Sequence, residues 1–138
     1  MRQHLFALLV HSRSSEAFGS LRWTLRELSV ETYSVATCRE AKELIAQCKP
    51  QIIFTESSVA DGSWINIVNG AEAADVPLSV IVVAPHPNTQ LYLSVMERGA
   101  FDFLAPPFER EPLNFIVCSA ALHTHRRREA SAHAELVS

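Results

Sequence analysis

Glycine is scarce in this 138-residue chain: Gly19, Gly62, Gly70 and Gly99 are the four present. Four isolated glycines build neither a P-loop nor a G-x-G-x-x-G turn, so nucleotide binding through either motif is excluded. Cysteine is equally sparse. Cys38, Cys48 and Cys118 are an odd number without C-x-x-C or C-x-x-H spacing, which argues against a disulfide framework or zinc module and leaves reduced, buried, structural thiols as the expectation. No apolar run approaches the ~20 residues a bilayer demands, and Leu5–Val10 and Val76–Ala84 are strand-sized. The apolar run after Arg2 is too short for a secretory signal and no small-residue cleavage pattern follows it, so a cytoplasmic domain without membrane association is expected. A strong net charge is also absent. Twelve Lys+Arg against fifteen Asp+Glu leave −3, which gives no long-range attraction to nucleic acid. Of the fifteen acidic residues, only Asp61, Asp75 and Asp102 are aspartates.

What is present is enough for one domain with a real core. The chain is 48% hydrophobic, and a domain of this size buries roughly 68–70% of its unfolded surface. His4–Val10 is a nearly continuous apolar run, as expected of a strand buried on both faces. From a cap at Ser14 or Ser15, Phe18, Leu21, Leu25 and Leu28 recur at helical spacing. Glu31–Ala36 reads as a second strand, and Thr37-Cys38-Arg39-Glu40 has the form of a capping box for a helix over Cys38–Cys48, stopped by Pro50. Gln51–Thr55 is a third apolar run ending at Glu56. Ser57–Ser63 is expected to be a loop with a turn at Asp61-Gly62, followed by a helix over Trp64–Ala74 with Ile65, Val68 and Ala71 or Ala73 inward. Leu78–Ala84 is a fourth strand rich in β-branched residues. Asn88 caps a helix carrying Leu91, Val95 and Met96 that stops at Gly99. Phe101–Leu104 is a fifth strand, and Glu109–Arg128 a last helix around Leu113, Ile116, Val117 and Ala120. Residues 1–128 thus form one domain, with 129–138 a frayed tail or the start of a linker. Arg126-Arg127-Arg128 reads as a solvated helix end rather than a nucleic-acid contact.

Five strands each followed by a helix predict an α/β fold: a parallel five-stranded sheet between two helical layers, in the flavodoxin-like order 2-1-3-4-5. In such a fold, ligands and chemistry gather at the C-terminal strand ends. His11 and Ser12 follow the first strand, Glu56 ends the third, Val83 the fourth, and Pro106 follows the fifth.

Two stretches carry a family resemblance: Pro50–Glu56 with the trailing Asp61-Gly62-Ser63, and Gly99-Ala100-Phe101-Asp102-Phe103-Leu104-Ala105-Pro106-Pro107-Phe108. With the five-fold βα order, they make residues 4–125 similar to the receiver domain of two-component response regulators. The resemblance implies a regulatory rather than catalytic module of phosphorelay signalling. In that family an aspartate after the third strand accepts a phosphoryl group, two acidic residues after the first strand help to hold Mg²⁺, a Thr or Ser ends the fourth strand, and a lysine follows the fifth. Here Glu56 occupies the phosphoacceptor position, His11 and Ser12 the acidic pair, Val83 the hydroxyl and Pro106 the lysine. Losing several preorganised charges, each worth ~10²–10³ in rate, implies a degenerate, pseudo-receiver domain without Mg²⁺ or phosphoryl chemistry. Glu56 itself reads either as a fixed negative charge imitating the phosphorylated state or as an ordinary loop residue. The family's surface for dimers and partners, helix 4–strand 5–helix 5, carries Tyr92, Met96 and Phe103 here. A homodimer, an effector domain or a separate protein partner is expected on it. The Pro106-Pro107 step matches a family position where the peptide bond is cis.

Other chemistries find less support. His123 and His125 are two apart and share no helix face, and His4, His86 and His133 have no ligand at a useful spacing. His11-Ser12 near Glu56 has no oxyanion-hole glycines or nucleophile elbow beside it. The alternative to a protein-contact module is a sensor whose vacated pocket, lined by His11, Ser12, Val83 and Pro106, binds a neutral or weakly anionic small molecule.

Overall fold

Phe6–Val10 forms the first strand, β1, and its side chains leave in two directions that both end in protein. Ala7 and Leu9 pack in one apolar cluster, Leu8 and Val10 in another, all without solvent exposure. A strand covered on both faces requires two layers of helix. The computed structural model supplies them and describes residues 4–137; residues 1–3 and 138, which the expected domain and tail include, lie outside the described residues.

The elements after β1 are α1 (Glu16–Glu27), β2 (Glu31–Val35), α2 (Cys38–Cys48), β3 (Ile52–Glu56), β4 (Ser58–Val59), β5 (Gly62–Ser63), α3 (Trp64–Glu72), β6 (Ser79–Val83), α4 (Thr89–Glu97), β7 (Asp102–Leu104) and α5 (Arg110–Val137). The main sheet is parallel, ordered β2-β1-β3-β6-β7. This is the expected flavodoxin-like order, the fourth and fifth strands of the sequence pattern being β6 and β7. Phe18, Leu21 and Leu25 of α1 and Leu113 and Val117 of α5 cover one face; Ala41 and Ile45 of α2, Ile67 and Val68 of α3 and Val95 of α4 cover the other.

Several helix ends follow the local signals. The side chains of Ser15, Thr37 and Asn88 accept from the N–H groups of Phe18, Glu40 and Leu91, each satisfying a donor that the first turn leaves open. Gly99 takes φ +93° just past α4, a conformation that costs glycine little. The peptide bond between Pro106 and Pro107 is cis, as expected.

Other details differ from the pattern-based expectations. The Ser57–Ser63 loop contains a short antiparallel ribbon, β4 with β5. Gly62 leaves room there for the Asn66 side chain, whose Oδ1 an added Cβ would meet at 2.5 Å and displace. Helix α3 ends at Glu72 and buries Trp64, Ile67 and Val68, while Ile65 is exposed. The face is rotated because Trp64, the first helical residue, is the large side chain that fills the core. Cysteine burial is also corrected: Cys38 is half-covered, whereas Cys48 and Cys118 are exposed, and all three are free.

The last helix is longer than its pattern predicted. Helix α5 runs past Arg128 to Val137, 28 residues in all or about 42 Å. The arginine run is not solvated at Arg128. Its Nε donates to Pro77 O at 2.7 Å and its Nη2 to Lys49 O at 3.1 Å and Pro50 O at 2.9 Å, while Arg127 Nη1 reaches Leu78 O at 3.4 Å. One guanidinium thus ties α5 to the end of α2 and to the segment entering β6. A turn earlier, buried Thr124 donates to Gln51 O at 2.9 Å and lies 2.8 Å from Ser79 Oγ.

A hydrogen bond from a charged donor contributes about 1.5–3 kcal/mol when shielded, but Arg128 is only half-buried, so water replaces part of each bond and the net effect is well below the sum of the three. Arg128→Ala is therefore expected to lower the urea-unfolding free energy by about 1–3 kcal/mol, against less than about 0.5 kcal/mol for exposed Arg126→Ala. Equal midpoints for the two variants would refute the clamp.

Candidate functional site

The strand register assembles the site before any side chain is considered. Val10 pairs with Thr55, Glu56 with Val83, and Val83 with Leu104, so β1, β3, β6 and β7 end at one edge. Thr55 is fully buried and Glu56 is the first half-exposed residue of β3. Polarity can therefore appear only where the sheet stops, and it does so at Glu56.

Glu56 Oε1 accepts the backbone N–H of Ser12 from the loop after β1. This ties the ends of two neighbouring strands. Sequence reasoning brought Glu56 and Ser12 to one rim but did not foresee the bond. His11 turns the other way. Its ring stacks on Phe18 with centroids 4.6 Å apart, Nε2 lies 3.0 Å from Ser34 Oγ on β2, and Nδ1 lies 2.7 Å from Ser12 O. Val83 is 2% exposed within the cluster shared by α1 and α5, so it offers almost no surface to a ligand. Pro106 is half-buried and has neither charge nor N–H. Of the four residues expected to line a vacated pocket, one is core and one faces β2.

The comparisons bear on this geometry. No protein-family model matches the chain. It is 31% identical over 108 residues to the nitrogen assimilation regulatory protein NtrX of Azorhizobium caulinodans, covering 73% of this chain and 23% of that protein. It is 26% identical over 100 residues to the response regulator protein PilR of Pseudomonas aeruginosa, covering 72% and 22%. The chain thus spans less than a quarter of the length of these curated relatives. Among solved structures, the signal receiver domain of a protein described as a LuxO repressor from Vibrio parahaemolyticus superposes with TM-score 0.71 at 27% identity, over 99% of this chain and 98% of that one. The receiver domain of NtrC4 from Aquifex aeolicus gives 0.68 at 25% identity, over 84% and 95%. The chain is homologous to response-regulator receiver domains.

In a receiver the strand-end site is built for an Mg²⁺-assisted phosphoryl group, which calls for several oxygen ligands and a compensating cation. The residues of this homologue do not fit that ion. Of His11, Ser12, Glu56, Val83 and Pro106, Glu56 alone carries a carboxylate, and one of its oxygens already accepts the Ser12 N–H. Among the described residues, no group of three or more His, Cys, Asp or Glu side chains gathers as metal ligands. On the face formed by α4, β7 and α5, Phe103 is half-buried against the α2–α3–α4 cluster, and Tyr92 meets it edge-on with centroids 6.1 Å apart. Tyr92, Leu93 and Met96 are exposed there.

Asp61, expected from the sequence only at a turn with Gly62, also caps a helix here. Its Oδ1 accepts the Cys38 N–H at 2.7 Å and its Oδ2 the Arg39 N–H at 3.1 Å. The β4–β5 ribbon thereby places a carboxylate against the N-terminus of α2, where the helix dipole favours negative charge. No local motif announces a cap that comes from 23 residues away. These N–H bonds, the one from Cys38 foremost, hold the Asp61 carboxyl below its ordinary value. Burial, and then the Asp61 charge, push the Cys38 thiol up, which keeps it protonated and unreactive at neutral pH.

The sign of the linkage follows from Asp61. A carboxyl depressed by folding stabilises the native state above its unfolded value, and that contribution disappears as the pH falls through the folded value. Asp61→Asn is therefore expected to melt below the parent at pH 6, the gap closing in strong acid. A gap independent of pH would show that the charge contributes nothing.

Proposed function

We propose that this receiver homologue is a regulatory module of two-component signalling that is not phosphorylated, holds no Mg²⁺ and acts through protein contacts. The bond from the Ser12 N–H to Glu56 Oε1 carries the reading. The carboxylate at the phosphoacceptor position serves as a local acceptor that closes the loop after β1, while His11 and Ser12 bring no second carboxylate, Val83 no hydroxyl and Pro106 no amine to supply the rest of the chemistry. Phosphoryl transfer depends almost wholly on positioned charge, and one missing electrostatic group commonly costs ~10²–10³ in rate. Several missing together leave no route to a phosphorylated state.

Output then falls to the surface. The α4–β7–α5 face, with Tyr92, Met96 and the packed Phe103, has the exposed apolar area a partner would cover. The beryllofluoride-activated NtrC4 receiver domain is a dimer in solution; for this chain the partner is an effector domain, another protein or a second copy. A ligand in the strand-end pocket is the weaker reading, because Val83 is core and His11 is held by Phe18 and Ser34.

Incubation with acetyl phosphate and Mg²⁺ is expected to leave the intact mass unchanged, while an aspartate-bearing receiver treated in parallel gains a phosphoryl group. A stoichiometric, base-labile adduct on Glu56 overturns the proposal. Glu56→Gln keeps an acceptor for the Ser12 N–H, so variant and parent are expected to sediment alike. A changed oligomeric state would make the Glu56 charge a signalling element.

A further inference from the structure

Away from the strand ends, the wall between α2 and α3 opens into a concavity of about 710 Å³, within the ~300–1,000 Å³ typical of small-molecule sites. Its floor is apolar. Ile45 of α2 and Ile67 of α3, both buried, meet there, with Ala74 and Val76 closing one end.

The two walls differ in charge. Arg39, Lys42 and Lys49 stand along α2 at helical spacing, and Lys42 and Lys49 are the chain's entire lysine content. Opposite them α3 presents Asn66, Asn69 and Gly70, amides and a bare backbone without charge. The carboxylates on the lining are Asp61 and Asp75, and both Asp61 oxygens are turned to the N–H groups of α2. Arg39 lies 3.9 Å from exposed Glu43, so Arg39, Lys42 and Lys49 together outnumber the two carboxylates of the lining.

Gly70 lines this opening, and like Gly19 of α1 it is a helical glycine with no packing neighbour. A glycine inside a helix costs about 0.5–1 kcal/mol relative to alanine, and a packing contact or a positive φ usually explains it. Neither applies here. A Cβ at Gly70 would find no atom within 4 Å, and Gly99 is the one glycine of positive φ. What the missing side chain leaves is open space in the groove wall.

We infer that the α2–α3 groove binds a small organic anion with an apolar body, the body lying on Ile45 and Ile67 beside Gly70 and the anionic group meeting Lys42 and Lys49. The site is separate from Glu56 and does not depend on whether the strand-end site is phosphorylated. Its far end also matters to the fold. Lys49 and Val76 of the lining directly precede Pro50 and Pro77, whose carbonyls hold Arg128, so an occupant rests against the anchor of α5.

The test uses two fluorescent probes, 8-anilinonaphthalene-1-sulfonate and its uncharged analogue N-phenyl-1-naphthylamine, titrated into the folded chain. Saturable binding of the sulfonate at one site is expected. Gly70→Leu, whose Cβ meets no atom within 4 Å, puts an apolar side chain into the groove and is expected to weaken both probes at least about tenfold, roughly one decade of Kd. Lys42→Glu combined with Lys49→Glu is expected to weaken the sulfonate by about the same factor and leave the neutral probe within about twofold. Phe115→Ser, which removes an exposed apolar side chain from α5, should leave both probes unaffected. Absence of saturable binding, equal affinity in the Gly70 variant, or equal loss of both probes in the lysine variant overturns the inference. If Gly70→Leu does not fold, the lysine pair decides alone.

Discussion

Strands β1, β3 and β6 send side chains to both faces of the sheet and meet water on neither, and the rest of the molecule is arranged around that constraint. Every residue from Ala7 to Val10 is fully covered, as are Ile53 and Phe54 on β3 and Ile81 and Val82 on β6. Leu8 needs α2 and α3 on one side, and Leu9 needs α1 and α5 on the other. Parallel pairing adds the requirement that each strand return through a crossover helix, so the two layers and the connectivity come from the same cause. A polar group within these strands must then be bonded internally. Thr55 does so with its own neighbour's carbonyl, Ser79 with Thr124 and α5.

The same constraint explains how the scaffold tolerates different side chains at its rim. The core that drives folding lies between the strand ends, while Glu56, Ser12 and Pro106 sit at or beyond them. Substituting an aspartate by Glu56 or a lysine by Pro106 removes no buried apolar surface, and burial is the dominant favourable contribution to folding. Glu56 also finds a new partner at once, because β1 and β3 are neighbours and the open N–H of Ser12 lies across from it. Receiver homology and the absence of the receiver's charged set are thus compatible: the first resides in the packing and the second in a few groups that the packing does not need.

How much of this was legible in the sequence depended on the range of the interaction. Thr37, Asn88 and Gly99 marked helix ends correctly because a cap is settled within three or four residues. The strand order followed from the alternation of apolar runs and helical periods, and Glu56, His11 and Ser12 were placed at the right edge by counting. The misses were long-range. Asp61 capping α2 requires knowing that the β4–β5 ribbon folds toward Cys38, and Arg128 binding Lys49, Pro50 and Pro77 requires the path of α5 across the sheet. The rotation of α3 was a local miss with a tertiary cause. Ile65 and Trp64 compete for the core, and the larger ring takes the place.

The arginine run shows the same division within three residues. Arg126, Arg127 and Arg128 are chemically identical, and charge counting alone treats them as one solvated patch. Helical geometry separates them by 100° each, which leaves Arg126 exposed, lets Arg127 graze the Leu78 carbonyl and sends Arg128 onto three carbonyls at the base of the sheet. Those carbonyls belong to chain ends that secondary structure cannot satisfy, the exit of α2 and the entry to β6. An arginine with five donors in a fixed fork is the side chain suited to collecting them. By binding them, Arg128 fixes α5 against the exit of α2 and the entry to β6, and beyond that anchor the helix runs on to Val137 through alanines and glutamates, which are good helix formers.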